Sequence, residues 1–139
     1  MLRSFLLLSC LGHASLAVAG EISPTVLLRA QTTDVEITGL PPGAQVGLVA
    51  SATLAGAIAC PAPIAPLCLD LHGRVVLLAT GQEAGGRAVL QVTAPARGPR
   101  SVDLQAAWRV PGGAWTTSPV LRAPLLDPAG DDDQDRHRR

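Results

Sequence analysis

The chain has no lysine, no asparagine and no tyrosine, and its aromatic residues are only Phe5, Trp108 and Trp115. Without asparagine it offers no N-glycosylation acceptor. Its eleven basic residues, all arginine, are balanced by eleven acidic ones. A net charge near zero gives no general attraction to nucleic acid or to an anionic membrane. Cysteine is scarce: Cys10, Cys60 and Cys68 have no CxxC spacing, and zinc needs more nitrogen and sulfur ligands than they supply. Beyond residue 20 no apolar run reaches transmembrane length, so no stable membrane insertion is expected once the leader is removed. A sustained apolar stripe of period 3.6 is also missing, which argues against a helical domain. The absent lysine and asparagine, beside abundant alanine, glycine, proline and arginine, have the look of mutational bias in a GC-rich genome.

Residues 1–19 say where the protein goes. Arg3 supplies a short positive segment, Phe5 to about Leu11 an apolar one, and Ala17-Val18-Ala19 a small-x-small cleavage motif ahead of Gly20. That order is the pattern of a secretory signal peptide. Gly12, His13 and Ser15 interrupt the run too early for it to span a bilayer as an anchor. Cleavage after Ala19 leaves a chain of about 120 residues carrying a net charge of about −1, enough for one domain with a real core. The expected destination is periplasmic or extracellular. An alternative start is Leu7-Leu8-Ser9-Cys10, which resembles a lipobox and would make Cys10 a lipidated terminus. The apolar stretch before Cys10 is shorter than the usual h-region, which favours plain cleavage.

Cleavage removes Cys10 and leaves an even pair. In an oxidising compartment the default for Cys60 and Cys68 is a disulfide. The loop between them carries Pro61, Pro63 and Pro66, and closing so short a loop stabilises a fold by roughly 2.5 kcal/mol in the chain-entropy model.

Between glycine and proline turns the rest reads as short strands. Thr25–Ala30 is a first candidate. Val35 and Ile37 alternate with Asp34, Glu36 and Thr38, and Val46–Ser51 forms a third run. Val75–Thr80 is nearly continuous in apolar residues, consistent with a fully buried strand. Ala88–Thr93 follows, and Val102–Val110 alternates most clearly. Gly112-Gly113 then centres a hairpin into Ala114–Thr117, and Val120–Leu126, preceded by Pro119 and containing Pro124, reads as an edge strand. The fold class is all-β: an antiparallel Ig-like β-sandwich of about seven to nine short strands with one disulfide. The domain runs over 20–126, followed by a disordered charged tail over 127–139.

The series Thr38-Gly39-Leu40-Pro41-Pro42-Gly43, the Cys60–Cys68 loop ending in Leu69-Asp70-Leu71, Val75–Thr80, Gly85-Gly86, Val89–Pro95 and Val102–Ala106 resembles a secreted β-sandwich module of myxobacteria and their relatives. The resemblance covers about Thr33–Val120. It implies an Ig-like fold and export, and implies no catalytic residue. Where the pattern ends in a Ser-Asn pair, this chain has Ser118-Pro119.

Catalytic equipment is thin. His72 is the single histidine within the expected domain and precedes Gly73 in a turn, and no nucleophile-elbow motif accompanies it. Asp34 and Glu36 face outward on one strand as an ordinary solvated pair. Asp131–Asp135 lacks the glycine and terminal glutamate of a calcium loop. No catalytic residue, metal site or cofactor is therefore assigned.

Trp108 and Trp115 are the possible binding residues. With the turn centred on Gly112-Gly113, Val110 lies opposite Trp115, and the two indoles sit diagonally on one hairpin face. One reading puts both on the core side, Trp108 beside Val102, Leu104 and Ala106. The other makes them an exposed platform for a sugar ring or a protein. The function expected is that of an exported, non-enzymatic structural or binding module with an unidentified protein or glycan partner. A carbohydrate-binding module using Trp108 and Trp115 is the alternative, and a secreted hydrolase or hydrolase inhibitor ranks lower.

Overall fold

The computed structural model describes residues 19–52 and 56–128. The expected signal segment before Ala19, the alternative terminus at Cys10 and the run Asp131–Arg139 lie outside the described residues.

The chain is all-β, in two sheets. Its strands are β1 (Glu21–Ser23), β2 (Leu27–Leu28), β3 (Thr32–Thr38), β4 (Gln45–Ser51), β5 (Val75–Gln82), β6 (Arg87–Thr93), β7 (Ser101–Arg109), β8 (Thr116–Thr117) and β9 (Leu121–Leu126). One sheet has the order β1-β3-β6; the other has β2-β9-β7-β4-β5, with β8 also paired to β7. All the pairs are antiparallel except β2 with β9, which is parallel. That parallel pair corrects the expectation of a purely antiparallel sandwich. Strand β2 arrives along β9 from the opposite sheet's side of the chain rather than through a hairpin.

Period-2 patterning builds the core. In β6, Ala88, Leu90 and Val92 are buried while Arg87, Val89, Gln91 and Thr93 are exposed, the alternation a strand with one covered face requires. Val35 and Ile37 of β3 face the same side. Asp34 is exposed on the other side, and Glu36 there pairs with Arg87 at 3.8 Å. Across the gap, Val46, Leu48 and Ala50 of β4 meet Leu104, Ala106 and Trp108 of β7, with Ala123 and Leu125 of β9. Each large side chain fully buried here contributes on the order of 1.5–3 kcal/mol.

Three strand expectations need correction. Thr25–Ala30 narrows to the two residues of β2, and β1 was not anticipated. Strand β9 is an edge only along its first part, since Leu125 and Leu126 pair with Leu27 and Leu28. The third correction is larger. Strand β5 is not buried: it closes the sheet beside β4, and Val76 and Leu77 are 56% and 60% exposed. A run of apolar residues reads the same whether or not a strand lies beyond it. Asp127, placed in the disordered tail by sequence, is instead paired with Arg29 at 3.5 Å.

Candidate binding groove

The most distinctive region lies on the outer face of the larger sheet, away from the sandwich core. Cys60 and Cys68 form the expected disulfide. The loop they close is a self-contained unit. A 3₁₀ turn at Ala62–Ile64 is followed by the Leu67 N–H donating to the Ile64 carbonyl at 3.0 Å. Its neck is a short ladder in which Ala59 donates to Leu71 and Leu69 donates to Ala59, at 2.9 and 2.8 Å. These bonds satisfy backbone groups that three prolines would otherwise leave with few local partners.

The loop lies against the sheet through a second apolar cluster of Ile64, Leu69, Leu71 and Ala107, flanked by Val49, Val75 and Trp115. One polar residue is sealed beneath it. Gln105 is fully buried on this outer face. Its Oε1 accepts the Asp70 N–H at 2.8 Å, and its Nε2 donates to the Ser118 carbonyl at 2.8 Å and to Asp70 Oδ2 at 3.1 Å. A buried amide is tolerated when its donors and acceptor are matched in this way. Ser118 continues the hairpin, exchanging backbone and side-chain bonds with Ala106 at 2.9 Å. The Ser118-Pro119 departure is thereby accommodated: the hydroxyl holds the chain to β7 before Pro119 turns it towards β9.

The two tryptophans are not brought together. Trp108 is 4% exposed in the sandwich core. Gly20 lies directly against it: its φ is +74°, and a Cβ there would come within 2.6 Å of the indole. Trp115 packs instead at the rim of the outer cluster. The paired platform on one hairpin face is therefore corrected, and the cause is a register difference of one residue. Trp108 pairs with Thr116 rather than Thr117. The tight turn is Val110–Gly113, closed by the Gly113 N–H on the Val110 carbonyl at 2.8 Å, with Gly112 at φ +78°. Proline followed by a positive-φ glycine is the type II arrangement. A shift of one residue sends a side chain to the opposite face. The Pro111-Gly112 dipeptide was the signal for this turn, and Gly112-Gly113 masked it.

With that register Arg109 becomes the neighbour of Trp115, its guanidinium carbon 4.9 Å from the ring centre. Sequence reasoning treated Arg109 only as an outward-facing strand residue. Between this pair and the disulfide loop runs an open groove of about 480 Å³, lined by Pro63, Ile64, Pro66, Leu67, Arg109 and Trp115 among others. No acidic residue lines it, and Arg109 has no ion pair among the described residues. The groove thus presents rigid apolar walls and one arginine stacked on an indole.

The residues considered for catalysis are engaged elsewhere. The His72 ring nitrogen Nδ1 lies 3.2 Å from the Gly56 carbonyl, and its own carbonyl accepts the Ser51 hydroxyl. Asp70 is held by Gln105, and no hydrogen bond joins it to His72 among the described residues. Among those residues no group of three or more His, Cys, Asp or Glu could hold a metal ion. No family model, curated protein or solved structure matches the chain.

Proposed function

We propose that the protein is an exported, non-enzymatic module with a structural or binding role at the cell envelope or beyond it, and that its contact surface is the groove beside the disulfide loop. The groove carries the reading. A loop closed covalently, hydrogen-bonded within itself and sealed onto the sheet gives a preorganised wall, which lowers the entropy lost on binding. Trp115 and Arg109 opposite it are the residue types that dominate protein contacts. Export is supported by the leader pattern and the disulfide. No helix among the described residues is long and apolar enough to cross a membrane.

A photo-crosslinking residue at Ala114, in the groove wall, tests the surface in the producing cell. Adducts are expected there, lost on Trp115→Ala, and not expected from the same residue at Val89, exposed on the other sheet. Equal adducts at both positions, or none, would overturn the groove as the contact surface. Intact mass of the exported protein tests the leader: a terminus at Gly20 is expected, and an acylated Cys10 would refute cleavage after Ala19. The carbohydrate reading retains Trp115 alone, since Trp108 is in the core. Glycan binding abolished by Trp115→Ala would favour it.

A further inference from the structure

The sandwich has a second surface unrelated to the groove. We propose that the free edge of β5 pairs antiparallel with β5 of a second copy of this chain, with Arg74 of each copy facing Glu83 of the other.

The two sheets end in strands of very different character. Strand β1 has three residues, β2 has two, and β6 opens on Arg87. Strand β9 is bounded by Pro119 and contains Pro124. Short length, charge and proline are the usual means by which an edge avoids pairing with another chain. Strand β5 uses neither charge nor proline. It runs through Val75-Val76-Leu77-Leu78-Ala79-Thr80-Gly81-Gln82 and pairs only with β4. Val76 and Leu77 are consecutive, so they project to opposite faces of the sheet, and both are more than half exposed. At that end of the strand both borders are uncovered, whereas Leu78 and Ala79 pack against the core and Gly81 lies against Leu90 of β6.

Charge then selects the partner and the register. Arg74 precedes the strand, is exposed and has no ion pair among the described residues. Glu83 follows it directly; its two oxygens accept the Gly86 and Gly43 N–H groups, which fixes the carboxylate in place and leaves further lone pairs for a cation. A strand that begins on a cation and ends on an anion is complementary to its own reverse. Placing Arg74 opposite Glu83 of the second copy sets Val75 against Gln82, Val76 against Gly81 and Leu77 against Thr80. Opposite charges across a strand pair favour that register, and a shift of two residues loses both contacts. The β-bulge also fits. The register between β4 and β5 shifts between Leu48 and Val49, which leaves Leu78 as the extra residue. In the proposed pairing Leu78 lies beside the two-fold axis, so the regular stretches Val75–Leu77 and Thr80–Gln82 pair on either side of the irregularity. Two-fold pairing consumes the edge, so the assembly closes as a dimer and does not extend into a filament.

Sedimentation equilibrium of the exported protein over a range of concentrations tests this. A reversible monomer–dimer equilibrium is expected. Arg74→Glu places like charges together twice and should weaken the dimer about tenfold or more, whereas Arg74→Lys should leave it nearly unchanged. Leu77→Lys should also weaken it. All three side chains are at the surface, and unaltered thermal melting of the variants would show that the fold is intact. A monomer at every concentration would overturn the proposal. So would a dimer indifferent to Arg74→Glu and Leu77→Lys, or open-ended association in place of a dimer.

Discussion

Strands β5 and β7 belong to the same sheet, with only β4 between them. Strand β5 is the more apolar and has no charged residue, yet its side chains are half-buried or exposed. Strand β7 alternates cleanly in sequence and carries Asp103, Gln105 and Arg109, yet it is buried on both faces from Leu104 to Trp108. Position and cover account for the inversion. Strand β5 ends the sheet. Strand β7 lies inside it, with the sandwich core on one face and the disulfide loop on the other. Pattern in a strand reports which residues can face inward; neighbours decide how many do.

The contrast breaks most directly by truncating one apolar side chain in each strand. Leu104 is fully buried, and Leu104→Ala should cost about 2–5 kcal/mol. Val76→Ala, at a site exposed in the single chain, should cost less than about 0.5 kcal/mol in protein dilute enough to be monomeric. Urea denaturation of the two variants gives the comparison. Similar losses would mean that β5 is covered in solution, and concentration dependence of the Val76 variant's stability would identify a second copy as the cover.

The cover over β7 is next in size. Removing the bridge with Cys60→Ala and Cys68→Ala together should cost roughly 2.5 kcal/mol, since the loop is closed only by its neck ladder once the disulfide is gone. Gln105→Leu should cost about 1–3 kcal/mol, because the Asp70 N–H and the Ser118 carbonyl lose their partner beneath the loop. A neutral or stabilising Gln105→Leu would show that water reaches this face and that the outer cluster is looser than its packing indicates.

These two strands also mark how far the sequence could be read. The sandwich, the disulfide and the inner faces of β3, β4, β6 and β7 were legible, because turns at Gly39–Gly43 and Gly85-Gly86 and period-2 alternation are local signals. The groove was not. It depends on Leu69 and Leu71 meeting Ala107 and on Ile64 meeting Trp115's side of the sheet, contacts between segments far apart in the chain. Loop residues of this composition carry no period that would announce burial. The tryptophan pair failed for a smaller reason: β7 and β8 meet at Trp108 and Thr116, one residue off the register that a two-residue turn on Gly112-Gly113 sets, and that single step reverses the face of Trp115. Gln105 shows the same limit, since a polar residue on an outward position gives no hint that its hydrogen bonds will be made inside the protein.

The smallest effect concerns how an uncovered strand stays in place. Strand β5 is held along its length by β4 and by Leu78 and Ala79 against the core, and at its ends by Val75 in the outer cluster and by the turn that follows Gln82. Glu83 organises that turn: its Oε1 accepts the Gly86 N–H at 2.7 Å and its Oε2 the Gly43 N–H at 2.8 Å. The Gly86 bond first, and the Gly43 bond second, hold its carboxyl below the ordinary value of 4.5. A carboxyl whose pKa is lower in the folded chain than in the unfolded one contributes stability that is complete above the unfolded value. That contribution fades as pH falls through the lower, folded value. Glu83→Gln should therefore melt slightly below the parent near pH 7, and the gap should narrow as pH falls below 4.5 and through the lower, folded value. The gap is small because the carboxylate faces solvent, which screens it. A gap independent of pH would assign the effect to the shape of the side chain, and the end of β5 would then be held by packing in the turn and not by charge.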